Sequence, residues 1–206
     1  MQITVVEHPL IKSKLTQIRD QNTDTVMFKR ILDEIATLLV FEVTKDIPLE
    51  NIKVQTPLTE TDGYKISGTI TLVPILRAGL GFLSSVTQVI PEANVGHIGM
   101  SRNEETLEPM EYYCKMPKDK DAYTIVLDPM LATGGSAAAA IEQLKKRGFS
   151  NIRFMCLVAA PEGVEKLNAA HPDVKIYTAS LDDHLNERGY IVPGLGDAGD
   201  RIFGTL

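Results

Sequence analysis

Asp128–Ser136 (DPMLATGGS) has the residue types of an anion site. It is too polar and glycine-rich to continue the apolar run Thr124–Leu127 before it or the Ala-, Leu- and Lys-rich run Ala137–Lys146 after it. A buried strand leading through such a loop into a helix leaves the first helical N–H groups without intrahelical partners, and the helix dipole favours negative charge there. Gly134 and Gly135 let the backbone approach a phosphate, Gly135 being the position expected at positive φ, and Thr133 and Ser136 add hydroxyl donors. Asp128 stands at the carboxyl end of the strand, where open α/β sheets place their ligand chemistry. The loop has neither the Lys of a Walker sequence nor the glycine spacing of a dinucleotide fingerprint. Taken alone, it also reads as an ordinary strand-to-helix turn with Ser136 as the N-cap.

Two arginines extend that chemistry. Arg77 lies between the apolar run Thr69–Val73 and the pair Gly79 and Gly81, in a second strand–loop–helix junction. Two such junctions on one sheet edge can hold the two ends of a doubly phosphorylated ligand. A diphosphate is best met by a donor that is always charged and binds bidentately, which favours Arg over Lys. Arg102 stands at the base of the polar connection Ser101–Pro109, which reads either as a solvated loop or as a flap closing over a ligand. The stretch 186–206 carries five glycines and a proline, which exclude regular structure over most of it. It also carries Tyr190, Ile191, Val192, Leu195, Ile202 and Phe203, so it is expected to be an ordered loop laid over the sheet edge and presenting backbone groups.

The elements that position these residues are read from periodicity. Ile3–Val6 is followed by a turn at His8 and by the amphipathic run Leu10–Arg19. Thr23–Lys45 is the longest helical pattern, with Phe28, Ile31, Leu32, Ile35, Leu38, Leu39 and Val43 on one face, a stripe that suits a core or a subunit contact. Strands are expected at Ile52–Thr56, Gly63–Ser67 and Thr69–Val73, then a helix at Leu80–Ile90 and two joined strands at Val95–Met100 and Met110–Lys115. After the loop and its helix come Ile152–Ala159 (strand), Gly163–His171 (helix) and Val174–Ser180 (strand). That alternation implies a parallel sheet with right-handed crossovers, and with no repeat or linker it implies one domain over 1–206.

A formal net charge of −6 argues against nucleic acid or an anionic membrane as the main partner. The N-terminal residues lack a secretory pattern, no apolar run reaches membrane length, and Cys114 and Cys156 lack metal-ligand spacing. A cytosolic protein with buried thiols is expected.

The run from Thr124 through Ser136 resembles the loop that binds phosphoribosyl diphosphate (PRPP) in the type I phosphoribosyltransferases. Their usual motif has two adjacent acids. Pro129 in the second place resembles the form of one branch, the uracil phosphoribosyltransferases. His8–Ile11 with Leu15–Asp20, Val73–Gly81, Val95–Gly99, Glu111–Cys114 and Gly189–Asp200 are similar to the same branch, the last being what separates it from purine enzymes. The resemblance covers essentially the full length. It implies the type I phosphoribosyltransferase fold: a central, mainly parallel sheet flanked by helices, a flap of antiparallel strands and a C-terminal base-binding loop. It implies transfer of the phosphoribosyl group from PRPP to uracil, giving UMP and diphosphate, with Mg²⁺. PRPP would be held by Arg77, Arg102, Asp128, Pro129, Met130, Leu131, Ala132, Thr133, Gly134, Gly135, Ser136 and Asp197, with Arg77, Arg102, Asp128 and Asp197 nearest the chemistry. Uracil would meet Ile191, Gly196, Asp197 and Ala198; Mg²⁺ would be bound mainly through PRPP, with Asp197 the candidate protein ligand. A GTP effector and a homodimer or larger assembly belong to the same implication. Two other classes share the loop: RNA-binding pyrimidine-operon regulators, which usually carry the two-acid loop and a basic face, and phosphosugar-binding proteins without catalysis. Asp128–Pro129 and the acidic charge speak against the first, Arg77 and Arg102 against the second.

Overall fold

The computed structural model describes residues 2–102 and 109–205. It opens with β1 (Ile3–Val5) and α1 (Pro9–Arg19). His8 is the N-cap of α1, its Nδ1 accepting from the Leu10 N–H at 3.2 Å, and Pro9 occupies the first helical position, where a missing N–H costs nothing. In α2 (Thr25–Val43), Asp24 caps the N-terminus by accepting from the Met27 N–H at 2.8 Å, which sets the helix start two residues later than periodicity alone suggests. The apolar stripe of α2 is buried as expected, with Phe28, Ile35, Leu39 and Val43 fully enclosed.

β2 (Leu49–Gln55) and β3 (Glu60–Ile66) form an antiparallel hairpin apart from the main sheet. The chain then enters the sheet with β4 (Ile70–Leu76), followed by α3 (Leu80–Val89), β5 (Asn94–Val95), β6 (His97–Arg102) and β7 (Pro109–Lys115). β4 runs three residues beyond the expected Val73 and so delivers Arg77 directly to the strand end. Pro74, which has no N–H to give, falls where the flanking ladder passes from β5 (Leu72 opposite Val95) to β6 (Ile75 opposite Ile98). The connection 103–108, with any flap it forms, lies outside the described residues, as does the side chain of Arg102.

The second half is β8 (Tyr123–Leu127), β9 (Met130–Leu131), α4 (Gly135–Lys146), β10 (Ile152–Ala159), α5 (Pro161–Ala170), β11 (Lys175–Leu181), β12 (His184–Leu185), β13 (Ile191–Val192) and α6 (Ala198–Phe203). The sheet order is β1-β11-β10-β8-β4-β6-β7, with β5 beside β4 and β9 beside β10; all neighbours are parallel except β7 on β6. Successive strand residues face opposite sides, so Leu72, Ile125 and Met155 join the core under α1, α2 and α3, while Val73, Val126 and Phe154 join the core under α4 and α5. Cys156 is buried as expected, its thiol pushed up to about 12 chiefly by burial, whereas Cys114 is half-buried; both are free. Two elements fall where the sequence reading places loop. Met130–Leu131 form a short strand on β10, and the glycine-rich tail contains the helix α6, whose apolar Ala198 and Ile202 are buried in the core. The Leu76–Arg77 and Val192–Pro193 peptide bonds are cis. Among the described residues no helix is long and apolar enough to cross a membrane.

Candidate active site

The central strand β8 ends at Leu127, and Asp128 is the first residue past it. Its N–H donates to Met155 O at 3.2 Å, while Pro129 O accepts from both Leu157 and Val158 (3.0 and 3.1 Å), so the loop starts firmly tied to β10. Burial pushes the Asp128 carboxyl up to about 7, against the opposing pull of the Met130 N–H. From Met130 the chain runs along β10 and then turns into α4. The turn is made by Gly134 at φ 73°, which is the N-cap of α4, so the alternative of a Ser136 cap and the expected positive φ at Gly135 are not found. A side chain at Gly134 would lie 2.7 Å from Gly163 O, and one at Gly163 would lie 2.3 Å from Ala132 O. Two glycines thus let the loop lie flat on α5.

The first turn of α4 has no side-chain cap, and among the described residues the Thr133 and Ser136 hydroxyls make no hydrogen bond to protein. Uncapped N–H groups, two unspent hydroxyls and a helix N-terminus all border a cavity of about 220 Å³ lined by Asp128, 130–137 and Gly189. That arrangement has the donors and the dipole that suit an anion. Lys166, absent from the sequence reading, reaches towards it from α5, with its Nζ 3.7 Å from where a Gly135 Cβ would sit.

A second cavity, of about 270 Å³, adjoins the first at Asp128 and Met130 and is completed by Arg77, Ala78, Pro129, Asp197, Ala198 and Gly199. Arg77 projects from the β4–α3 junction, largely exposed, with its guanidinium 4.0 Å from Asp200 and 5.7 Å from the centre of the Phe203 ring. Among the described residues its guanidinium makes no hydrogen bond, so its donors remain available to an anion. The two strand–loop–helix junctions therefore meet at one edge, as the sequence suggests, and the tail closes the gap between them.

Within the tail, Asp197 is the N-cap of α6, with one carboxylate oxygen accepting from the Asp200 N–H at 2.9 Å. Among the described residues the N–H groups of Gly196, Asp197 and Ala198 have no protein acceptor. Asp197 and Ala198 face the second cavity. Gly196 lines instead a larger cavity of about 540 Å³, which shares Asp197 with the second and also takes in Arg19, residues 21–25, 193–195 and Arg201 but neither Asp128 nor Arg77. Ile191 lines neither; its side chain is core. Arg102 ends β6 opposite Pro109, and only its backbone is placed. Ala78, Gly189, Gly199 and Lys166 were missed by sequence reasoning, because small or exposed residues carry no pattern until the chain folds around them.

The model of the uracil phosphoribosyltransferase family matches residues 5–205. Proteins named uracil phosphoribosyltransferase from Streptococcus salivarius and from Streptococcus pyogenes serotype M5 are 59% and 58% identical to the chain over 203 residues, covering 98% of this chain and 97% of each relative. The solved structure of the AQ2163 protein from Aquifex aeolicus superposes with a TM-score of 0.92 at 41% identity, over 98% of this chain and 97% of its own. An adenine phosphoribosyl transferase from Trypanosoma brucei has the same fold at a TM-score of 0.60 and 12% identity, over 95% of this chain and 88% of its own. Sequence likeness of this extent, carried on a type I phosphoribosyltransferase fold, places the chain in the uracil phosphoribosyltransferase family.

Proposed function

We propose that the chain transfers the phosphoribosyl group of PRPP to uracil, giving UMP and diphosphate. One observation carries the reading beyond family membership: an uncapped helix N-terminus and an exposed arginine flank Asp128, the acid shared by two adjoining cavities. A ligand with a phosphate at one end, a diphosphate at the other and a sugar between them suits that layout.

In this reading the 5′-phosphate lies in the cradle of Ala132–Ser136, and Asp128 holds the ribose hydroxyls. The bond from ribose C1 to the diphosphate oxygen breaks with its electron pair leaving on the diphosphate, N1 of uracil bonds to C1, and the N1 proton is lost. Positive charge develops on the ring, as in other glycosyl transfers, and an ionised Asp128 beneath it favours that charge. Arg77 and Arg102 take the charge that leaves. Uracil meets backbone groups of Ile191 and Gly196–Ala198, whose free N–H groups are donors of fixed direction.

A hard cation such as Mg²⁺ takes oxygen ligands. Among the described residues no three His, Cys, Asp or Glu side chains are grouped to hold a metal. The fit is therefore to an ion carried mainly by PRPP oxygens, with the carboxylate oxygen of Asp197 not used in capping as the protein's contribution. Bound there, Mg²⁺ would offset charge on the departing diphosphate. A homodimer or larger assembly is supported by exposed Val26, Phe41 and Leu58, and a GTP effector rests on the resemblance alone. The test of the reaction is direct: purified protein with PRPP, Mg²⁺ and each nucleobase in turn, the nucleotide formed being identified. UMP from uracil supports the reading; a purine nucleotide, or none, refutes it.

A further inference from the structure

Base recognition through backbone groups raises a question that base-contacting side chains would not: what fixes the backbone. Around Gly194 the answer is a buried ion pair. The Arg19 guanidinium, from the last turn of α1, binds both oxygens of Asp182, just past β11, at 2.7 and 2.6 Å. The same guanidinium donates to Gly194 O at 2.9 Å and to the Ser180 hydroxyl at 3.1 Å, and Ser180 donates to Asp182 at 2.7 Å. Asp182 in turn accepts from Gly194 N–H at 2.9 Å. Both backbone groups of one glycine are thus held by one ion pair.

Gly194 has no freedom to answer otherwise. Its φ is 57°, and a Cβ there would lie 2.1 Å from Ile191 O. Past it, Leu195 O accepts from Arg201 at 2.9 Å, and Arg201 also donates to Ile18 O, Asp20 O and Thr23 O while its guanidinium lies 4.4 Å from the centre of the Phe28 ring. The segment 194–195 is therefore bolted to α1 and to the α1–α2 connection. Among the described residues the next three N–H groups, those of residues 196–198, are left open. The Asp182 side chain is 2% exposed, and such a charge removed from water is tolerated only because it is fully paired.

We propose that Arg19 and Asp182 are a positioning pair for base selection: by gripping Gly194 they set where the N–H groups of Gly196–Ala198 point, and thereby the affinity for uracil and the rejection of cytosine. This rests on the reading of the tail as the base site. Neither residue lines the two cavities assigned to PRPP, and the phosphate cradle and Arg77 are independent of the pair.

The test compares wild-type protein with Arg19→Lys, Asp182→Asn and the double variant Arg19→Met/Asp182→Leu, whose apolar replacement removes both charges together and so avoids a lone buried ion. Melting temperature is followed alongside KM for uracil, KM for PRPP and the ratio of uracil to cytosine turnover. The expected result is a KM for uracil raised about tenfold or more with the KM for PRPP within about twofold, and a ratio of uracil to cytosine turnover that falls; Arg19→Lys should be intermediate, since Lys cannot grip both carboxylate oxygens and Gly194 O together. A merely structural pair would instead lower the melting temperature and leave the KM ratio and base selectivity unmoved. A folded double variant with wild-type uracil KM and selectivity overturns the proposal. If the wild-type protein itself makes no UMP, the reading of the whole site falls, and this with it.

Discussion

Asp128 is the residue on which the two cavities depend, and its protonation is open to measurement. Burial raises its carboxyl from 3.8 to about 7, so the folded protein binds the proton more tightly than the unfolded chain does. Stability from this group is therefore fully present below about pH 4 and is lost as pH rises through about 7, with a ceiling of about 4 kcal/mol at about 1.4 kcal/mol per pH unit. In the proposed reaction function has the opposite sign, because only the carboxylate would accept ribose hydroxyls and favour a developing cation. In wild-type protein, kcat/KM for PRPP should fall on the acid side with an apparent pKa near 7, and Asp128→Asn should lower activity, flatten that limb and stabilise the free protein at pH 8. An unchanged acid limb in Asp128→Asn would assign the titration to another group. The adjacent glycines divide equally sharply. Gly134→Ala meets both a left-handed φ and Gly163 O, and should cost about 1–3 kcal/mol in stability and raise KM for PRPP. Gly135→Ala, whose new Cβ would meet nothing closer than 3.7 Å, should be near neutral in stability. Equal effects at the two positions would refute the loop geometry.

At the scale of elements, the sequence was most legible where a period ran long. The stripe of α2, the apolar runs of β8 and β10 and the alternation of the second half all stand where periodicity put them, because a strand buried on both faces or a helix with one wet face leaves little choice of residue. What could not be read was short or set by tertiary contact. β9 exists because β10 offers unpaired backbone beside Met130, and the N-cap of α4 moves to Gly134 because the loop must lie against Gly163. The tail is the clearest case: its glycines read as irregular, yet Ala198 and Ile202 place α6 in the core. Truncation of the tail tests this placement. Removing everything after Tyr190 would strip Ile191, Leu195, Ala198 and Ile202 from the core under α2 and also remove Arg201, leaving the Ile18, Asp20 and Thr23 carbonyls without its guanidinium. At about 1.5–3 kcal/mol for each large buried aliphatic side chain, the loss rivals the whole stability of a domain. The truncated chain should thus fail to give a cooperative melt, whereas a truncated chain that melted cooperatively and still bound PRPP would show the tail to be an appendage.

For the molecule as a whole, the site is an intersection. The cradle comes from the β8–α4 junction, Arg77 from the β4–α3 junction, and Asp197 from a tail held to α1 by Arg19 and Arg201. PRPP spanning them would tie together segments that are otherwise joined only through the sheet, and a ligand that binds only the folded state stabilises it by mass action. At a concentration of about a hundred times Kd the gain is about 2.7 kcal/mol, which for a chain of this size raises Tm by about 5–10 °C. The shift should be dissected by variants according to which segment they touch. Arg77→Ala, if it weakens PRPP binding about tenfold, should remove about 1.4 kcal/mol of that gain, roughly half of the shift. Arg19→Lys should keep most of the PRPP shift, whatever it does to the melting temperature of the free protein, because the cradle and Arg77 stay in place and only Asp197 lies on the tail that Arg19 holds. Thermal melts with and without PRPP and Mg²⁺ make the comparison. A PRPP shift lost in Arg19→Lys and kept in Arg77→Ala would reverse the assignment of the two ends of the site.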